Sequence, residues 1–153
     1  MQLVARVTAI LTLSATFAFG QQAKPILTGN WQFNAAKSKV HAGAGLFASV
    51  SIKQADSTVI QITRTGKDAK GAEATVTINC STTGKDCDIT GGTTSFWYSD
   101  GVLTELDVMG DVAMRYDFTL AADGKSLQVD ISCMTDPKAP TDTLVLDKAV
   151  PGT

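Results

Sequence analysis

From residue 49 onward the chain alternates apolar and polar side chains with period two, the pattern that extended backbone turns into one dry face and one wet face. Three runs carry it most clearly. Ala74, Val76, Ile78 and Cys80 alternate with Glu73, Thr75, Thr77 and Asn79; Val112, Met114, Tyr116, Phe118 and Leu120 alternate with Ala113, Arg115, Asp117 and Thr119; Leu127, Val129 and Ile131 alternate with Gln128, Asp130 and Ser132. Less regular runs, rich in β-branched and aromatic residues, span 50–54, 58–65, 94–99, 102–109 and 143–148. Turn-forming residues separate the runs: Asp56-Ser57, Gly66 to Gly71, Gly91-Gly92, Asp100-Gly101, Gly110-Asp111 and Asp123-Gly124. Asp-Gly between two alternating runs predicts a tight hairpin, because both positions tolerate the positive φ that a type I′ turn requires.

With residues 31–34 as an opening strand, the pattern predicts about nine short antiparallel strands joined by short connections. The expected fold is therefore all-β, an up-and-down meander of about 8–9 strands closing into a barrel. No long run of helical period follows the first twenty residues. Asn34 to Ser38 can cap one helical turn, and residues 40–48 read as a mobile apolar loop. Pro137 and Pro140 make the loop from Met134 to Asp142 irregular.

The amino terminus adds a location. Arg6 precedes an apolar run from Val7 to Phe19, and Ala18-Phe19-Gly20 offers small residues where a signal peptidase reads. The run is about a dozen residues against the roughly 20 that a spanning helix needs. Residues 1–20 are thus read as a cleavable signal peptide, and 21–153 as a single domain, exported to the periplasm or secreted. The remaining chain of about 130 residues can build one core of ordinary size. A formal charge of −2, with lysines scattered singly, gives no basic stripe for nucleic acid or anionic membrane, and no segment past the signal is long enough to span a bilayer.

Three cysteines in an oxidising compartment imply one bridge and one leftover thiol, with three pairings open. Cys80 with Cys87 is favoured, because Ser81 to Asp86 between them reads as a hairpin turn. Cys133 falls on the apolar parity of its strand and is expected to be a buried small hydrophobe.

Gly29-Asn30-Trp31 matches the Gly-x-Trp that opens the first strand of lipocalin-type barrels, and the chain resembles that group. Residues 29–39, together with Ala122-Asp123-Gly124-Lys125-Ser126-Leu127, are similar to small exported bacterial proteins that are largely uncharacterised. The resemblance implies that Gly29 and Trp31 are structural, with Trp31 closing the barrel floor, and that a basic residue of the last strand covers the indole; Lys148 stands in that place where the family has arginine. The family's Thr-Asp-Tyr run has no counterpart. Nor does the Arg-x-Tyr with which fatty-acid carriers hold a carboxylate, since Arg115 and Tyr116 are adjacent and face opposite ways.

Catalytic chemistry finds little footing. His41 is the only histidine, so no histidine cluster can hold zinc, and neither metal nor cofactor is expected. Glu105 and Asp107 share one strand face about 7 Å apart and read as a solvated face rather than an acid–base pair. No catalytic residue is assigned.

Binding is the better prospect. The inward parity gives a lining of Val50, Ile52, Ile60, Ile62, Val76, Ile78, Phe96, Tyr98, Met114, Tyr116, Phe118, Val129 and Ile131, apolar with two phenols. Of these, Ile60, Ile62, Val76, Phe96, Tyr98, Met114, Tyr116 and Phe118 are the expected contacts of a small hydrophobic ligand, with Leu46 and Phe47 as a lid. The same alternation also suits a filled core, in which case the protein is an interaction or structural module. Trp97, on the parity opposite Phe96 and Tyr98, then offers an outward anchor for a protein partner.

Overall fold

The structure, a computed structural model, describes residues 24–41, 47–56, 58–67 and 71–150. The expected signal peptide and Leu46 of the expected lid lie outside them. Ten antiparallel strands follow one another: β1 (Gly29–Phe33), β2 (Phe47–Gln54), β3 (Val59–Lys67), β4 (Glu73–Ser81), β5 (Thr83–Ile89), β6 (Gly92–Ser99), β7 (Val102–Met109), β8 (Val112–Leu120), β9 (Ser126–Cys133) and β10 (Asp142–Lys148). They form one sheet in the order β4-β3-β2-β1-β10-β9-β8-β7-β6-β5. Each strand pairs with its neighbour in sequence except β4 with β5, and β1 pairs with β10, so the meander curls into a nearly closed barrel with one seam.

The strand beyond the expected number is β5. Its sequence, TGKDCDI, has no alternation and includes residues that read as a turn. Pairing with β6 holds it extended, with Cys87 opposite Thr94 and Ile89 opposite Gly92. The start of β6 needs a glycine there: a Cβ on Gly92 would lie 1.9 Å from the Val108 carbonyl oxygen of β7. The Cys80–Cys87 disulfide ties β4 to β5 across the seam. Residues 47 and 48, expected in a loop, begin β2 instead, and a register shift between Phe47 and Ser49 brings the Phe47 ring onto the core face that Val50 and Ile52 occupy.

The hairpin between β6 and β7 follows the turn chemistry of its sequence. Asp100 (φ 49°) and Gly101 (φ 80°) take left-handed backbone, and Ser99 then faces Val102. That tight turn fixes which residues oppose each other along β6 and β7.

The barrel is solidly packed at one end. Leu27, Trp31, Ile52, Ile60, Ile62, Phe96, Leu103, Phe118, Leu127, Leu144 and Leu146 are almost completely buried. Each large apolar side chain so buried contributes about 1.5–3 kcal/mol by removal from water. The segment before β1 seals this end: Leu27 is inserted, and its backbone N–H donates to Gln54 Oε1 at 3.3 Å. Trp31 Nε1–H donates to the Leu27 carbonyl at 3.1 Å, and Lys148 Nζ stands 5.4 Å from the indole centroid. A Cβ on Gly29 would lie 3.3 Å from Lys148 Cε, so glycine leaves room for the lysine stem against the ring. Among the described residues no helix is long and apolar enough to cross a membrane.

Candidate functional site

At the opposite end, toward the seam, the packed core gives way to a cavity of about 980 Å³ that opens to solvent. Its wall comes from Phe47 of β2, Arg64 and Gly66 of β3, Val76 and Ile78 of β4, Ile89 of β5, Asp107 and Met109 of β7, Met114 and Tyr116 of β8, and Ile131 of β9, with Lys67, Asp88 and Asp142 among the charged residues. Val76 is 53% exposed although it lies on the core parity, because the seam leaves it without a partner strand on that side.

The expected ligand contacts divide between the two ends. Val76, Met114 and Tyr116 line the cavity, and so does Phe47 of the expected lid. Ile60, Ile62, Phe96 and Phe118 are packed in the closed end, fully buried and away from the cavity wall. Tyr98 belongs to the seal: its hydroxyl lies 3.2 Å from the Pro25 carbonyl and from Gln54 Oε1, and Lys24 Nζ lies 5.5 Å from the ring centroid. Trp97 is half-buried opposite Thr83 and Thr104. Cavity and filled core therefore coexist, one at each end of the barrel.

Two expectations are overturned at this site. Glu105 and Asp107 do not form a solvated face. They are 0% and 5% exposed, in the barrel interior. The register explains it: Glu105 stands opposite Phe96 on one side and Tyr116 on the other, and directly opposed residues in an antiparallel sheet share a face. Since Phe96 and Tyr116 point inward, so must Glu105. Cys133 is not buried either. It is free and half-exposed at the end of β9, with Sγ 3.4 Å from Thr135 Oγ1, and that hydroxyl holds the thiol below its ordinary pKa.

Inward carboxylates require a cation, and the missing partner is Arg64, the next inward position of β3 after Ile60 and Ile62. Its Nη2 bonds to Glu105 Oε2, and its Nη1 lies 3.8 Å from Asp107 Oδ2. The guanidinium carbon lies 4.8 Å from the ring centroids of both Phe47 and Tyr116, so the ion pair is bracketed by aromatic faces. Burial pushes the Glu105 carboxyl up to about 8, against the pull of Arg64 and helped by the neighbouring Asp107. Burial likewise pushes the Tyr116 phenol up to about 12, so it stays protonated. Four buried polar atoms have no hydrogen-bond partner among the described residues: Arg64 Nε, Thr94 Oγ1, Glu105 Oε1 and Asp107 Oδ1.

No protein-family model matches the sequence, and no curated protein matches it. Similarity appears in the fold. The chain superposes on the crystal structure of the fluorescent protein UnaG with a TM-score of 0.57 at 11% identity, covering 80% of this chain and 96% of that one. Against fatty-acid-binding protein 1 of Echinococcus granulosus the TM-score is 0.54 at 10% identity, over 80% and 97% of the two chains. The chain thus shares with these two proteins its fold, an antiparallel meander curled into a barrel.

Proposed function

We propose that this protein is an exported, lipocalin-like carrier that binds one small hydrophobic molecule in the cell envelope and performs no chemistry on it. The observation that carries the reading is the cavity, whose volume of about 980 Å³ fits the range of small-molecule sites and whose wall offers Phe47, Val76, Ile78, Met114, Tyr116 and Ile131 to an apolar guest. Polar groups set beside apolar ones in the wall give such a site orientation as well as affinity. The fold shared with a fatty-acid-binding protein supports the same reading. Export is supported by the sequence of residues 1–20 and fits the Cys80–Cys87 disulfide, which persists in oxidising compartments. Asp107 is part of the wall and Glu105, bonded to Arg64, lies buried behind it; in this reading they act on a ligand's position, not on its bonds.

Native mass spectrometry of protein purified from its own host, followed by solvent extraction, tests the carrier role. A co-purifying small apolar molecule, and uptake of a neutral apolar dye by the stripped protein, are the expected results. Absence of both overturns it. Amino-terminal sequencing of the same material is expected to begin at Gln21.

A further inference from the structure

Arg64 is the obvious receptor for an acidic ligand, and its surroundings remove it from that role. One side of its guanidinium is committed to Glu105, another faces Asp107, and Phe47 and Tyr116 bracket the group. The acceptor left over is Asp107. Its Oδ1 is buried with no donor among the described residues, whereas Glu105, kept protonated by burial, carries an O–H of its own. Asp107 is also part of the cavity wall, with a side chain only 7% exposed. A buried acceptor without a donor costs on the order of 1–3 kcal/mol, more when it carries charge, so a group that supplies the donor recovers that cost on binding.

The wider charge balance points the same way. Arg64 and Lys67 are the cations of the wall, against Asp88, Asp107 and Asp142. A carboxylate entering beside Asp107 meets a like charge in a poorly hydrated place, where such repulsion is least screened. An ammonium group meets the unpartnered Asp107 oxygen and a net negative wall.

Resting on the carrier reading above, we infer that the cavity selects an apolar molecule whose polar end donates hydrogen bonds, a primary amine in particular, and discriminates against fatty acids. Asp107 is the residue that receives the head group. Phe47, Val76, Met114 and Tyr116 flank the chain behind it.

The test is displacement of the neutral dye Nile red from the purified protein by three probes of equal chain length, dodecylamine, dodecanol and dodecanoate, each below its micelle concentration. Dodecylamine is expected to displace the dye at a concentration at least tenfold lower than dodecanoate, with dodecanol between them. Asp107→Asn, checked for native circular dichroism and with each displacement referred to the variant's own dye affinity, should narrow the amine-to-acid gap to less than threefold. Dodecanoate displacing as well as dodecylamine overturns the inference, and so does an undiminished gap in folded Asp107→Asn. If that variant does not fold, the wild-type ranking decides. Dye binding with no displacement by any probe defeats the inference and leaves the cavity reading standing; failure of the dye and all three probes to bind removes both.

Discussion

Glu105 is the residue in which sequence, packing and pH response meet. Its carboxyl is raised to about 8 chiefly because burial penalises the charged form, and the unfolded chain has an ordinary carboxylate near 4.5. The folded protein therefore holds a proton that the unfolded chain has released through most of that interval. Its stabilising contribution is complete below about pH 4.5 and is lost as pH rises through about 8. Urea denaturation at pH 5, 7 and 9 is expected to show unfolding free energy falling by on the order of a few kcal/mol from this group, with Glu105→Gln flattening the profile. The measurement belongs in a Cys133→Ser background, because that thiol, held below its ordinary pKa, works in the opposite direction. An equal slope in parent and variant would show that Glu105 is already ionised when folded.

At the scale of the strands, the hairpin pattern was readable because half-buried antiparallel strands must alternate and Asp-Gly must turn. Nine of the ten strands stand where alternation or β-rich runs place them, with ends adjusted by one to three residues. The tenth, β5, was hidden because only Cys87 and Ile89 mark its inward face, the rest of the strand is polar, and it shares a ladder with β6 alone. The polar site was hidden for a different reason. In β7 both parities carry apolar residues, Leu103 and Met109 on one and Val102, Leu106 and Val108 on the other, so hydrophobicity alone favours placing Glu105 and Asp107 outside. The information was present in the turn: a two-residue connection at Asp100–Gly101 sets Phe96 opposite Glu105, and Arg64 follows Ile60 and Ile62 on the inward face of β3. The disulfide has its own role at this scale, since β4 and β5 share no ladder. Closing so short a loop stabilises by about 2.5 kcal/mol on the chain-entropy estimate. A Cys80→Ser/Cys87→Ser variant is expected to lose that amount in denaturant titration; an unchanged midpoint and slope would mean the neighbouring strands alone hold β5 in place.

Over the whole molecule, order should run from the sealed end to the open one. β9 and β10 are bonded on both sides, whereas β4 and β5 each have one neighbour and largely exposed side chains. Hydrogen exchange followed by mass spectrometry is expected to label β4 and β5 well before β9 and β10, and uniform protection around the barrel would contradict the seam. Charged side chains along β5, Lys85, Asp86 and Asp88, also make its free edge a poor template for another chain. The seam has one more consequence. In a fully hydrogen-bonded barrel the strand count and stagger fix the girth, and a wider guest must break backbone bonds to enter. Here one joint in the wall has no ladder and is held by the one-residue link at Thr82 and the Cys80–Cys87 disulfide, so a hinge-like movement of β4 away from β5 changes the circumference with every ladder intact. On the carrier reading, the stiffness of that joint, rather than the architecture of the ring, governs the size of the guest.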